Sequence, residues 1–244
     1  MSARDVLQLY RATLWRGWPA ALLIAILTTA CLDRLMAALP DPLAPDGLER
    51  LAQFFSSAGL WRAVLAVSLL SLWPVCALVL CADAQVRGAA PPAAGGLLVA
   101  LRAYPQALLA ALLFTVVVAA GLTLLLIPGI YLAGALQLWM VALLLRQVGA
   151  LRSLRASWQL VRGRWWRSNT QVALILLGGL GAATLLSLIA GGVVQLADST
   201  LHFDPALQRA AALGVALMVN FVAAPAYSVA LLVSYHDLQR GQGS

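Results

Sequence analysis

Long apolar runs, separated by short basic or polar connectors, set the character of this chain. A helix needs about 20 apolar residues to cross hydrocarbon, and six stretches meet that demand. The first runs from Gly17 to about Leu39, with Asp33 and Arg34 near its end, and the second from Ala63 to Ala82. Ala103 to Leu145 is uncharged throughout and too long for one span. Pro128-Gly129 is the expected turn within it, because this pair favours a reversal over helix continuation. The third and fourth spans are therefore predicted at Pro105–Ile127 and Ile130–Leu145. The fifth is Gln171–Ala197 and the sixth Ala210–Tyr235. The predicted fold is all-α and polytopic, with six transmembrane helices in three hairpins.

The connectors carry a second pattern. Leu151, Leu154, Trp158 and Val161 share one helical face, and Arg152, Arg155, Gln159 and Arg162 line the adjacent stripe. That is an interfacial amphipathic helix, its apolar side expected at the acyl boundary. Leu7, Tyr10 and Leu14 beside Arg4, Gln8 and Arg11 repeat the idea, and Leu97–Tyr104 is a weaker third copy. Each hairpin thus follows an amphipathic cytoplasmic helix. The other connectors differ. Leu39–Asp46 is acidic and punctuated by Pro40, Pro42 and Pro45. A short surface helix follows from Gly47 to Ala58, with Leu48, Leu51, Phe54 and Phe55 at helical spacing. Asp198–Arg209 is short and polar.

The similarity extends into the spans. Trp18-Pro19-Ala20-Ala21-Leu22-Leu23 matches Tyr104-Pro105-Gln106-Ala107-Leu108-Leu109. Ala77-Leu78-Val79-Leu80 before Asp83 matches Ala230-Leu231-Leu232-Val233 before Asp237. The chain reads as one integral membrane domain built from three parallel units, 1–88, 89–148 and 149–240.

Charge orients the bundle. Arginine beside a span tends to stay on the cytoplasmic side. All 16 basic residues are arginine. With a cytoplasmic N-terminus, twelve of them lie inside and only Arg34, Arg50, Arg62 and Arg209 lie outside. Both termini are therefore expected on the cytoplasmic side. Arg4, Arg11 and Arg16 before the first apolar run imitate a signal peptide, and Leu27-Thr28-Thr29-Ala30-Cys31 hints at a lipoprotein site. The leucine stands one position too far from the cysteine, so an uncleaved first span is expected.

Composition agrees with this picture. The 244 residues are 62% hydrophobic and 10% charged, with a mean hydropathy of +0.90. A soluble domain carries about 25% charged residues. A net charge of +7 would suit nucleic acid, but the arginines sit at the ends of apolar runs, so nucleic acid is excluded. Anionic lipid head groups on the cytoplasmic side are the expected partners, with a membrane-protein partner as a further one. Cys31, Cys76 and Cys81 form no CxxC pair and only two histidines are present. No metal and no cofactor is expected.

Groups able to do chemistry are scarce. Asn220 and Gln137 are the most polar deep positions, suited to hydrogen bonds between helices. Gly178, Gly179, Gly181, Ala182 and Ala183 form a small face for helix packing. Asp83, Arg146, His236 and Asp237 end the even-numbered spans. If these ends converge, Asp83 or Asp237 pairs with Arg146, or His236 acts as a general base oriented by an aspartate. No nucleophile motif accompanies His236, so no catalytic residue is assigned. Trp165 and Trp166 flanked by Arg164 and Arg167 suit an interfacial anchor or a lipid-phosphate site, with Arg152, Arg155 and Arg162 contributing.

Leu126-Ile127-Pro128-Gly129-Ile130-Tyr131-Leu132, followed by Ser157-Trp158-Gln159-Leu160-Val161-Arg162-Gly163-Arg164-Trp165-Trp166, carries a resemblance. Over roughly residues 100–240 the chain resembles the membrane domain attached to some bacterial glycerophosphodiester phosphodiesterases, and its stand-alone inner-membrane relatives. Tyr235, Asp237 and Arg240 echo the end of that domain, although Gly241-Gln242-Gly243-Ser244 supplies no acid where the group carries one. The resemblance implies the membrane part alone, because the phosphodiesterase activity belongs to a soluble barrel that no segment here matches.

Three functions follow as expectations. The first is a non-catalytic inner-membrane protein that supports envelope or lipid homeostasis through lipid or partner contacts. The second is a small transporter for a lipid-like or apolar solute, disfavoured because no pair of spans reads as broken near its midpoint. The third is a lipid head-group enzyme using His236 with Asp83 or Asp237.

Overall fold

The structure is a computed structural model that describes residues 3–41, 44, 46–89 and 93–240. Pro42, Leu43 and Pro45 of the proline-punctuated loop, and the Gly241–Ser244 end, lie outside the described residues. Among the described residues there are ten helices and no strand. They are α1 (Ala3–Arg16), α2 (Trp18–Ala38), α3 (Gly47–Ser56), α4 (Ala58–Val86), α5 (Ala93–Leu124), α6 (Leu126–Leu136), α7 (Trp139–Arg146), α8 (Ala150–Val161), α9 (Trp165–Leu201) and α10 (Pro205–Arg240). Six segments are long and apolar enough to cross a membrane: α2, α4, Gly96–Leu124 of α5, Leu126–Arg146, α9 and α10. The protein is an all-α, multi-pass membrane protein.

The helices outrun the spans read from hydropathy. α9 starts at Trp165 rather than Gln171, and α10 runs from Pro205 to Arg240. Hydropathy marks where lipid touches the chain, whereas backbone hydrogen bonds continue a turn or two past that boundary. For the same reason Leu97–Tyr104 is not a separate helix. It is continuous with α5 through Pro105.

The turn inside the long apolar stretch falls at Leu125, not at Pro128-Gly129. Leu125 is extended (φ −160°, ψ 138°) and α6 begins at Leu126. Pro128 therefore lies in the first turn of α6, where a missing N–H leaves no bond unmade. Gly129 is the residue on which α6 crosses α5. A Cβ there would stand 2.5 Å from Leu122 side-chain atoms, and one on Gly121 would stand 3.1 Å from the Gly129 Cα.

Span four is itself broken. α6 ends at Leu136 and α7 begins at Trp139, with Gln137 and Leu138 between them. α8 then folds back along α7, and Ser157 near its end reaches the break.

The tightest packing lies at one end of the bundle. Pro74–Asp83 of α4, Trp139–Leu144 of α7 and Pro225–Leu238 of α10 supply nearly half of the buried residues, and these three helices touch one another. α2 packs on α4 and α10, α5 on α4 and α6, and α9 chiefly on α10. We call this the arginine end, since Arg146, Arg164 and Arg167 lie there. The opposite halves are looser. Leu65 and Leu70 of α4 and Leu185 and Leu188 of α9 are exposed. Lipid tails are as apolar as leucine, so nothing drives these side chains inward.

The two free-standing helices that the sequence reads as amphipathic dock on protein. α8 buries Ala150, Ser153, Leu154, Ser157, Leu160 and Val161 against α5, α6, α7 and α10. The buried stripe is rotated from the predicted one: Leu151 is exposed, and two serines replace it. α1 likewise buries Leu9 and Thr13 and exposes Leu7 while packing on α4 and α10. The Tyr10 hydroxyl donates to the Val222 carbonyl, and burial pushes that phenol above its ordinary value of about 10.

Gly129→Leu should lower the thermal midpoint of the detergent-solubilised protein, since overpacking costs about 1–3 kcal/mol. Gly178→Leu is the control, because a Cβ there meets nothing within 4 Å. Equal midpoints for the two variants would refute the close crossing.

Candidate functional site

A groove of about 950 Å³ opens at the arginine end. α6 contributes Ile127, Ile130 and Tyr131, the turn after α8 contributes Gly163 and Arg164, and the first turn of α9 contributes Trp165, Trp166 and Arg167. Gly163 makes this geometry available. Its φ of +81° lies in the left-handed region that glycine enters without strain, and it swings the chain from α8 into α9.

Aromatic rings build one wall. Trp165 stacks on Tyr131 with ring centres 5.6 Å apart, and its Nε1 donates to the Tyr131 carbonyl at 3.0 Å. Trp158 meets the same tyrosine edge-on at 5.6 Å. Trp166 stands edge-on to Trp165 at 4.8 Å and is 78% exposed. The cationic side is braced from α10. Arg167 pairs with Asp237 at 3.0 Å, and Gln171 Nε2 donates to the same carboxylate at 2.9 Å. Of the seven residues predicted to contact lipid phosphate, Arg164, Trp165, Trp166 and Arg167 line the groove. Arg152, Arg155 and Arg162 are exposed but do not line it.

The charged ends of the even spans do converge, with different partners from those expected. Arg146 pairs with neither Asp83 nor Asp237. Its Nε donates to the Tyr235 hydroxyl at 2.8 Å, and its guanidinium lies 5.8 Å from the centre of that ring. Asp83 is buried, ion-paired with Arg87 one turn on, and 3.5 Å from His236 Nε2. Consecutive residues on a helix point about 100° apart. Tyr235, His236 and Asp237 therefore face three different neighbours: α7, α4 and α9. His236 Nε2 and Asp83 Oδ1 are buried and lack a hydrogen-bond partner among the described residues. The imidazole points at α4 and does not line the groove.

Of the deep polar residues, Asn220 Nδ2 donates to Thr29 Oγ1 at 3.0 Å, joining α10 to α2. Such bonds contribute about 0.6 kcal/mol in membranes. Gln137 sits in the break of span four, and its Nε2 is buried without a partner among the described residues. Of the three glycines in the small-residue face of α9, Gly179 closely approaches α10, at Ala226. Gly178 and Gly181 meet nothing within 4 Å. Among the described residues no group of three or more His, Cys, Asp or Glu side chains could hold a metal ion.

The sequence reading named Ser157 in a motif but gave it no role, because a serine on an arginine-rich helix looks like a solvated position. It is fully buried. It donates to the Ala135 carbonyl at 2.9 Å and accepts from the Leu138 amide at 3.2 Å, closing the break on both sides.

A protein-family profile matches residues 23–237. The chain belongs to the DUF7847 family, described as a domain of unknown function. No curated protein and no solved structure matches the chain. The DUF7847 match takes in every groove residue, the charged cluster and the break in span four, and it leaves out α1.

Ser157→Ala should destabilise the fold by about 1–3 kcal/mol, the usual cost of an orphaned buried polar group. Ser153→Ala is the comparison, because its hydroxyl bonds only within its own helix, at Ala150. The difference in thermal midpoint between the two measures the bridge, and equal midpoints would deny it.

Proposed function

We propose that this chain is a non-catalytic protein of a bacterial inner membrane, with both termini cytoplasmic, that supports envelope or lipid homeostasis by holding anionic lipid head groups at its arginine end. The groove between α6 and the start of α9 carries the reading. It joins two guanidinium groups to an aromatic wall and two isoleucines, which matches a phosphate above the first methylenes of its chains. Guanidinium suits phosphate because its planar fork makes paired hydrogen bonds. Tryptophan favours the depth where head group meets hydrocarbon. The excess of arginine at this end supports the orientation. Seven of the eight lining residues belong to the segments that resemble the membrane domain of glycerophosphodiester phosphodiesterases, which adds a lipid-linked context.

A basic residue near an anionic surface contributes about 1 kcal/mol. Arg164→Gln with Arg167→Gln should therefore weaken binding of short-chain phosphatidylglycerol by roughly thirtyfold, measured by titration in neutral detergent. Arg152→Gln with Arg155→Gln should weaken it far less. Equal losses in the two pairs would make the effect a diffuse charge and remove the site.

The second reading is a small transporter for a lipid-like or apolar solute. The broken fourth span favours it, since interrupted helices line many transport sites, and Gln137 offers a buried donor there. In proteoliposomes, uptake of a labelled lipid that falls with Gln137→Leu would support this reading, and uptake equal to empty vesicles would exclude it.

A further inference from the structure

A second groove lies at the far end of the bundle, between α2 and α4, with α3 across its rim. Its volume is about 550 Å³, within the range of about 300–1,000 Å³ that small-molecule sites occupy. Ala30, Cys31 and Arg34 of α2, Phe54 of α3, and Gly59 and Ala63 of α4 are among its lining residues. The two helices are in close contact at the arginine end, where a Cβ on Gly17 would stand 2.7 Å from Leu78. Small side chains at Ala30, Gly59 and Ala63 leave the space open at the other end.

One charge belongs to this lining. Arg34 is exposed, and among the described residues it forms no ion pair or hydrogen bond. Its neighbour Asp33 is engaged by Arg209 across α10 at 3.2 Å, so the acid next in sequence is taken. All the other lining side chains are apolar or a thiol. An apolar trough whose lining includes one uncommitted guanidinium is complementary to an amphiphile with an anionic head. α2 and α4 are both long and apolar enough to cross a membrane, which brings an apolar trough between them within reach of acyl chains. A guanidinium on such a helix stays at head-group depth, because the bilayer centre is costly for it.

We infer that this groove holds an acyl chain of an anionic phospholipid, with the phosphate on Arg34. The site lies at the opposite end of the bundle from the Arg164–Arg167 groove and does not depend on the reading given to that groove.

The chain carries its own reporter. Cys31 lines the groove and is half-exposed, whereas Cys76 and Cys81 are buried. The full chain is placed in nanodiscs of phosphatidylcholine alone or with phosphatidylglycerol. Alkylation of Cys31 by a small membrane-permeant maleimide is then followed by peptide mass spectrometry. Phosphatidylglycerol should slow alkylation several-fold. Arg34→Gln should abolish that difference and Arg34→Lys should keep part of it. Gly59→Leu, whose Cβ meets nothing within 4 Å, should fill the trough and slow alkylation equally in both lipids. Arg164→Gln with Arg167→Gln should leave the protection intact, which separates this site from the other. Equal rates in the two lipids for the unaltered chain, or protection that survives Arg34→Gln, would overturn the inference. Protection by added oleate without protection by phosphatidylglycerol would also overturn it, in favour of a free fatty acid.

Discussion

Backbone that leaves the helix inside hydrocarbon must find its hydrogen bonds in protein, because lipid offers none. Span four leaves the helix at Gln137 and Leu138, and the Ser157 hydroxyl binds both sides of the gap. That requirement lays α8 along α7. With α8 held there, the chain has to reverse at Gly163 and bring Trp165 against Tyr131. The aromatic wall of the groove is thus a consequence of satisfying two peptide groups.

The same economy of partners governs the charged residues. Tyr235, His236 and Asp237 are consecutive, so helix geometry spreads them over three neighbours. One helical turn of α10 then ties together α4, α7 and α9. Asp237 holds Arg167 at the groove, so the packing of the bundle and the position of the cationic side are coupled. Toward the far end the contacts run from α10 to α2, through Arg209 with Asp33 and Asn220 with Thr29. Helices α2 and α4 separate there, and the trough between them remains.

Much of the architecture was legible in the linear pattern. Six apolar stretches and their approximate order needed only the thickness of hydrocarbon. Charge at the close of each even-numbered span marked those ends as candidates to meet, but whether they converge rested on how the helices pack. The pairings were not legible, because pairing depends on the rotation of each helix about its own axis. Arg146 met Tyr235 rather than an aspartate for that reason. Pro128-Gly129 misled for a related one. Proline signals both a turn and the first turn of a helix, and only the crossing of α5 and α6 at Gly121 and Gly129 decides between them.

The sequence by itself determined that this chain is a six-span helical protein with its arginines crowded at one end, because transfer free energy acts on each residue in place and sums along the chain. Tertiary structure decided what that end is. It chose which face of α8 is buried, broke span four and repaired it with a serine, and set two arginines of the six in the 146–167 segment beside a tryptophan–tyrosine wall. Those outcomes depend on contacts between residues far apart in the chain, and hydrophobic periodicity carries no record of which distant neighbour a side chain will meet.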